Sequence, residues 1–441
     1  MPRRILFALA LATLPPGCAK FSPRPINATQ TASAFAGRSL DDDGLRKFLA
    51  GQGAGAGAWT LNRLALAAAY FHPDVALARA EAEEAAAAIQ TARQMPNPVL
   101  TFAPQWTSTA VPFTPWFLAP SVAFPIETAG KRSRRTEQAM AAAEAARWRV
   151  SARAWAARSR VRAAMLEMHG ARENIRLLET EQRLHEEAIK KLTAQMEAGD
   201  VSPFELTQAR LMLNRTRLAL QDAKRLEGTG EARLAGALGV PLSALRAAKL
   251  DFSAFHRLPD ASATASRRRA LTQRADLLAL LADYAATEYG LKLELARQYP
   301  DVNLTPGYDF NSGQNRWLLG LNVQIPLNMN RGPIAQAEAR RKTAEARFLA
   351  QQGVIQGELD IALAAYRAAR EKASIAATLA KEAATSSDTT KRMVDAGQVS
   401  ALELTRRQIE ASAANVAMMA ANIDAQTAAG ALEDAMQATL K

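Results

Sequence analysis

The chain has 441 residues and a mass of 47.5 kDa; 49% of residues are hydrophobic but only 6% aromatic, with alanine supplying much of the apolar total. Alanine is the strongest helix former and small enough for helices to approach closely, so this balance points to long, tightly packed helices and excludes a β-sandwich or large open sheet. The net charge of +12 does not mark a nucleic-acid binder, because 55 basic and 43 acidic residues alternate along helical stretches (Arg153, Arg158, Arg160, Arg162, then Glu167, Arg172, Glu173) with no dense basic block. The single cysteine, Cys18, and four histidines, His72, His169, His185 and His256, lie far apart in sequence; neither a disulfide framework nor a clustered metal site is expected from them, and no cofactor.

At the N-terminus, Arg3 and Arg4 precede an apolar run from Ile5 to Leu14, too short to span a bilayer as a helix but with the n-region and h-region of a secretory signal. Residues 1–17 are read as that signal. Cys18, directly after Gly17, stands where a bacterial lipoprotein signal places its acylated residue, although Pro15 occupies the usual leucine position. Residues 18–59 then read as an irregular lead-in carrying Pro23, Pro25, an Asp41-Asp42-Asp43 step and a glycine-rich tract from Gly51 to Gly57. No later stretch approaches the roughly 20 apolar residues of a membrane-spanning helix, so any membrane crossing must use strands.

The remainder is written twice. Ala198-Gly199-Asp200-Val201-Ser202-Pro203-Phe204-Glu205-Leu206-Thr207 recurs as Ala396-Gly397-Gln398-Val399-Ser400-Ala401-Leu402-Glu403-Leu404-Thr405, with seven identities in ten. Upstream, Trp116, Leu118, Val122, Phe124, Pro125 and Ile126 echo Trp317, Leu319, Val323, Ile325, Pro326 and Leu327, and Ala92-Arg93-Gln94-Met95-Pro96 echoes Ala296-Arg297-Gln298-Tyr299-Pro300. The same order in both halves implies two structural repeats, 60–238 and 268–440, joined by a connector at 239–267.

Each repeat opens with a helix. Pro73 breaks the first near Phe71, and Pro96 and Pro98 end it. A β-hairpin follows, at 99–126 in the first repeat and 302–327 in the second, where Asn311 to Asn315 is a strong turn signal. In the later strand, Trp317, Leu319, Leu321, Val323, Ile325 and Leu327 alternate against Arg316, Gly320, Asn322 and Gln324, with Leu318 breaking the rule. About eleven residues, apolar on one face and ending in an aromatic, match a transmembrane β-barrel strand. Trp116, Val122 and Phe124 are the barrel candidates of the first hairpin.

Long helices come next, at 131–197 and 333–396, each roughly 100 Å at 1.5 Å per residue. The first has no proline and a single glycine, Gly170. Such lengths suit coiled-coil or tunnel staves rather than domain cores. Gly199 and Gly397 suit the left-handed conformation that ends a helix, and Ser202 and Ser400 the N-caps of return helices at 203–238 and 401–438. Glu205 and Glu403 stand at capping-box spacing from those serines. Four strands per chain cannot close a barrel, since single-chain examples need roughly eight or more, so the chain must oligomerise.

These paired helix–hairpin–long helix–turn–helix units, the Ala-Gly-x-Val-Ser-x-x-Glu-Leu turns and the proline closing each second strand resemble the TolC-like outer-membrane efflux protein family over residues 60–440. Phe124-Pro125-Ile126-Glu127-Thr128-Ala129-Gly130-Lys131-Arg132 and Arg331-Gly332-Pro333-Ile334-Ala335 resemble segments of its heavy-metal efflux branch. The resemblance implies a mostly helical homotrimer: a twelve-stranded transmembrane β-barrel in the outer membrane of a Gram-negative bacterium, continued by an α-helical tunnel through the periplasm. It implies a passive exit duct docked to a periplasmic membrane-fusion adaptor and an inner-membrane efflux pump, of the resistance-nodulation-division type. The family's docking and gating end maps onto Gly199, Val201, Ser202, Glu205, Leu206, Gly397, Val399, Ser400, Glu403 and Leu404. Some members constrict the tunnel with acidic rings; Glu403 matches the first such position, whereas Arg406 departs from the second and could pair with Glu403 on its own helix.

No enzyme is expected. The chain lacks a nucleotide-binding glycine pattern, His-Glu-x-x-His, Cys-x-x-Cys and a nucleophile elbow. Met165 and Met168 read as seam packing rather than a metal relay. The competing readings are a duct of this fold serving drug or type I protein export, and a structural coiled-coil protein of the envelope.

Overall fold

A computed structural model describes residues 20–108, 115–260, 262–311 and 313–440; Cys18 lies outside them. The proline-free stretch from Lys131 forms a continuous helix of 67 residues, α5 (Lys131–Glu197), in the order of α1 (Ala28–Ala36), α2 (Asp43–Gly51), α3 (Leu61–Phe71) and α4 (Pro73–Arg93) before it. Its partner in the second repeat, α10 (Arg331–Asp395), is 65 residues long. At the end of each the chain reverses into a return helix of 36 residues, α6 (Pro203–Leu238) and α11 (Ala401–Met436), about 54 Å each. The return helices flank only the lower half of the long ones. The upper halves are covered by α4 and by α9 (Ala275–Ala296), which follows the short α7 (Leu242–Arg246) and α8 (Ala263–Thr272) of the connector region.

Below the hairpins, the four long and return helices form one layer in the order α10, α11, α5, α6. Lys372 to Asp424 (2.6 Å) links α10 to α11, Arg158 to Glu433 (3.0 Å) links α5 to α11, and Arg233 to Glu167 (2.7 Å) links α5 to α6. Alanine dominates the seams: Ala141, Ala143, Ala145, Ala157, Ala164, Ala421, Ala425 and Ala429 are all buried. Small side chains at these positions allow the close helix approach that the composition foretold.

The strands are β1 (Val99–Thr101), β2 (Gln105–Trp106), β3 (Trp116–Phe117), β4 (Ser121–Ile126), β5 (Val302–Asn311) and β6 (Gln314–Val323). The two hairpins lie side by side in one antiparallel sheet ordered β1-β4-β5-β6, joined across the repeats by Phe124 opposite Leu304 and Ile126 opposite Val302. At ten residues each, β5 and β6 have the roughly 9–11 residues of a transmembrane strand. The first hairpin is not two long strands. Pro104, Pro115 and Pro120 withhold the amides a ladder needs, so pairing is interrupted and β2 and β3 form a separate two-stranded ribbon. Trp116 therefore pairs opposite Trp106 in that ribbon, while Val122 and Phe124 lie in the four-stranded sheet. Ile325 also departs from expectation: β6 ends at Val323, which pairs with Val302, the first residue of β5, so β5 offers no backbone opposite Ile325.

The lead-in is not irregular. The Asn27 side chain caps α1 by accepting from the Thr29 and Gln30 amides, and Asp42, the middle of the acidic step, caps α2 by accepting from the Leu45 amide at 2.8 Å. Leu40, Leu45 and Leu49 enter a core with Leu64, Val161, Met165, Leu234, Leu238 and Phe255, midway along α5. A matching core in the second repeat gathers Leu277, Ile355, Leu359, Tyr366, Leu432 and Met436.

Candidate docking turns and gate

Both helical reversals lie at the same end of the layer. At the first, Gly199 takes φ +87° and the Asp200 amide donates back to the Gln195 carbonyl at 2.9 Å; at the second, Gly397 takes φ +69° and the Gln398 amide donates to Met393 at 2.8 Å. These bonds satisfy carbonyls left open at a helix end and require a left-handed residue, which glycine supplies without a Cβ clash. Behind the turns, Leu192 of α5, Leu206 of α6 and Leu402 of α11 bury one another, with Ile189, Met196, Val201 and Ile409 packed around them. Val399 and Leu404 are half-buried.

The two turns are alike in sequence but not in bonding. Ser400 accepts from the Glu403 amide at 3.2 Å, while Ser202 makes no side-chain cap bond and Pro203 stands at the first helical position. Neither acid is tied to its serine in a reciprocal capping box. Glu205 instead receives Arg406 across the repeats at 3.2 Å, and Glu403 receives Arg407 on its own helix at 2.8 Å. The expected Glu403–Arg406 pair is thus replaced by two others: Arg407, one turn along at i,i+4, has the better reach to Glu403, and Arg406 faces α6. Arg407 also holds Glu410 at 2.9 Å. Glu205, Glu403 and Glu410 are thus each met by a guanidinium.

Higher on the same seam, the Lys191 ammonium of α5 donates to the Thr405 hydroxyl at 2.6 Å and to the Ala401 carbonyl at 3.2 Å, joining α5 to the first turn of α11. Further up, Glu181 accepts from Thr216 at 2.9 Å and lies 3.7 Å from His185. The His185 imidazole, followed by the Thr216 hydroxyl, holds its carboxyl below the usual range against the opposing effect of burial. Lys191 and the Glu205–Arg406 contact carried no local signal in the sequence, because they depend on the two distant turns lying side by side.

The outer members of the layer carry unpartnered apolar stripes. Phe204, Leu211 and Leu218 recur every seven residues on α6 and are exposed, Phe204 by 69%; Leu379 and Met393 are exposed on α10. Heptad spacing on a free helix face is a coiled-coil seam awaiting another helix. The β-sheet is open in the same way, with β1 and β6 at its edges and all of β6 exposed, Trp317 by 84%.

At the sheet–helix junctions the two motif segments have structural work. Thr128 donates its amide to Asp301 at 2.9 Å, and Lys131 reaches Asp301 at 2.6 Å and the Tyr299 carbonyl at 2.7 Å, pinning one repeat's corner to the other's. Glu127 clasps Arg135 at 2.6 Å. Ala129-Gly130 and Met329-Asn330 adopt the same left-handed pair before each long helix, and Asn330 is held by Glu294.

The sequence profile of a family described as "Outer membrane efflux protein" matches residues 66–240 and 267–437. No curated protein matches the chain. Among solved structures it is similar to the outer membrane protein VceC of Vibrio cholerae (16% identity, TM-score 0.68, covering 86% of this chain and 97% of that one). The CmeC outer membrane channel of Campylobacter jejuni gives 17% identity and a TM-score of 0.67, covering 86% of each chain. CusC gives 18% and 0.66, covering 85% of this chain and 91% of that one.

Proposed function

The chain belongs to the outer membrane efflux protein family, and from that premise we propose that it is the exit duct of a tripartite pump for heavy-metal cations, docked through its two helical turns. The coarser part follows from membership: an outer-membrane, non-enzymatic channel extending into the periplasm, in a family whose channels are homotrimers. The observation that carries the reading is that both layers are open. A four-stranded sheet with two free edges leaves backbone groups unpaired in lipid, and further copies of the chain are the simplest way to pair them. The exposed heptad of α6 and the exposed apolar residues of α10 would close the helical layer by the same operation.

The metal assignment is supported by the Phe124–Arg132 and Arg331–Ala335 segments, which resemble the heavy-metal branch. Deleting the gene should raise sensitivity to divalent metal cations and leave sensitivity to dyes and antibiotics unchanged. Unchanged metal tolerance with the partner pump expressed would remove the assignment and favour drug or protein export. Docking to a periplasmic adaptor at the turns from Gly199 to Leu206 and Gly397 to Leu404 is part of the same proposal, as is a gate formed by Glu403 with Arg407 and Arg406 with Glu205. Acylation at Cys18 would anchor the mature N-terminus; Cys18→Ala should abolish acyl-lipid labelling, and persistent labelling would refute it.

A further inference from the structure

Two of the four histidines, remote in sequence, meet in the fold. His169 lies midway along α5, and His256 directly follows a 3-10 turn, Ser253–Phe255, in the connector. Their ring centroids are 5.9 Å apart, with planes inclined by 46°. Both line a cavity of about 380 Å³ between α5, the connector and α11, together with Glu173, Met419, Asn422 and Gln426.

The His169 ring is positioned by stacking. Phe252 and Phe255 lie nearly parallel to it, at 5.4 and 5.9 Å between centroids. Stacking fixes the faces of the ring and leaves its nitrogens unused: among the described residues neither the His169 ring nor the His256 ring makes a hydrogen bond to protein. Two imidazoles sharing one ion at metal–nitrogen distances of about 2.0–2.1 Å have centroids roughly 5–6 Å apart. The observed separation falls in that interval.

We infer that His169 and His256 form a two-imidazole copper site, completed by the Met419 thioether. The donor set chooses the ion. Thioether sulfur favours soft ions such as cuprous copper, imidazole suits zinc, copper, iron and nickel, and copper is the member common to both preferences. Glu173 is engaged by Arg176 at 3.0 Å, so no oxygen-rich cage for a hard cation is on offer. Among the described residues no three His, Cys, Asp or Glu side chains are grouped to hold a metal, so the site proposed rests on the two imidazoles and the thioether alone. A bound ion would tie the connector to both repeats at once, since α5 belongs to the first and α11 to the second. It would be a resident ion, and the proposal is independent of what the duct exports.

The test is anaerobic titration of the intact detergent-solubilised protein with copper(I) against a competing chelator, followed by X-ray absorption. About one equivalent per chain should bind, with nitrogen and sulfur ligands; His169→Ala and His256→Gln should each weaken binding by at least about tenfold, and Met419→Leu by less. His256 is exposed, so His256→Gln should fold even where loss of the stacked His169 disturbs packing. Absence of copper binding by the parent protein, or unchanged stoichiometry and affinity in the His169→Ala/His256→Gln double variant, would overturn the site. Binding is read without an export assay, so its failure leaves the channel reading intact.

Discussion

The two helical turns share seven residues in ten, yet they sit differently in the molecule. At the first, Phe204 is 69% exposed; its counterpart Leu402 at the second is 7% exposed and packed against Leu192 and Leu206. The first turn's acid reaches across to the other repeat, and the second turn's acid is satisfied on its own helix. The difference follows from position. The second turn feeds α11, an inner member of the layer, whereas the first feeds α6, at its edge. A duplicated sequence has thus been specialised by its surroundings, one copy toward the core and the other toward a neighbour.

The largest expected effect that separates them is at the apolar pair. Leu402→Ala should cost about 2–5 kcal/mol at this end of the bundle, as a large-to-small change in a packed site, read as faster hydrogen exchange in α11's first turns. Phe204→Ala should leave that exchange unchanged and weaken association with a neighbouring chain or partner instead. Equal loss of protection in both variants would erase the distinction. Next come the glycines: Gly199→Val and Gly397→Val each force a β-branched residue to positive φ, at about 1–3 kcal/mol. Both should weaken adaptor coupling, measured by crosslinking, while trimers persist; full transport by Gly397→Val would count against the second turn's role.

Ser400→Ala should cost about 1 kcal/mol and Ser202→Ala only a few tenths, because only Ser400 bonds the amide it caps. The ion pairs should matter less to stability than to opening. Arg406 and Glu205 are both about half exposed, so their pair contributes under about 1 kcal/mol. Arg406→Glu should nevertheless raise single-channel conductance by loosening the seam between repeats, and Glu205→Arg added to it should restore the parent value. No rescue in that double variant would exclude the pair as a latch. The smallest effect sets the turns apart from the middle of the molecule. Burial lowers the His72 pKa below 6.5, while its ring accepts from the Asp74 amide at 3.1 Å. The folded chain therefore binds protons less readily there, and stability at the α3–α4 corner should fall as pH drops below 6.5, seen as a smaller protection factor for that amide once its base-catalysed intrinsic exchange rate is divided out.

Much of this architecture was legible because its signals are local and repeated. The absence of proline from Lys131 to Glu197, the alternation from Trp317 to Val323 and the paired glycine turns each act within a few residues. The lead-in misled because Pro23, Pro25 and the Gly51–Gly57 tract outweighed two caps, Asn27 and Asp42, whose helices depend on leucines meeting a distant core. The first hairpin's prolines were visible, but that they would divert Trp116 into a separate ribbon was not. Arg406 meeting Glu205, and His169 meeting His256, follow from three-dimensional neighbours that no spacing along the chain encodes.

The central claim is that two open layers, one of strands and one of helices, are closed by other copies of the same chain. Its most direct test is to determine the mass of the detergent-purified protein by native mass spectrometry and to record the same preparation in a planar lipid bilayer. A trimer that conducts ions in discrete steps is the expected result; a water-soluble monomer that never conducts would contradict it.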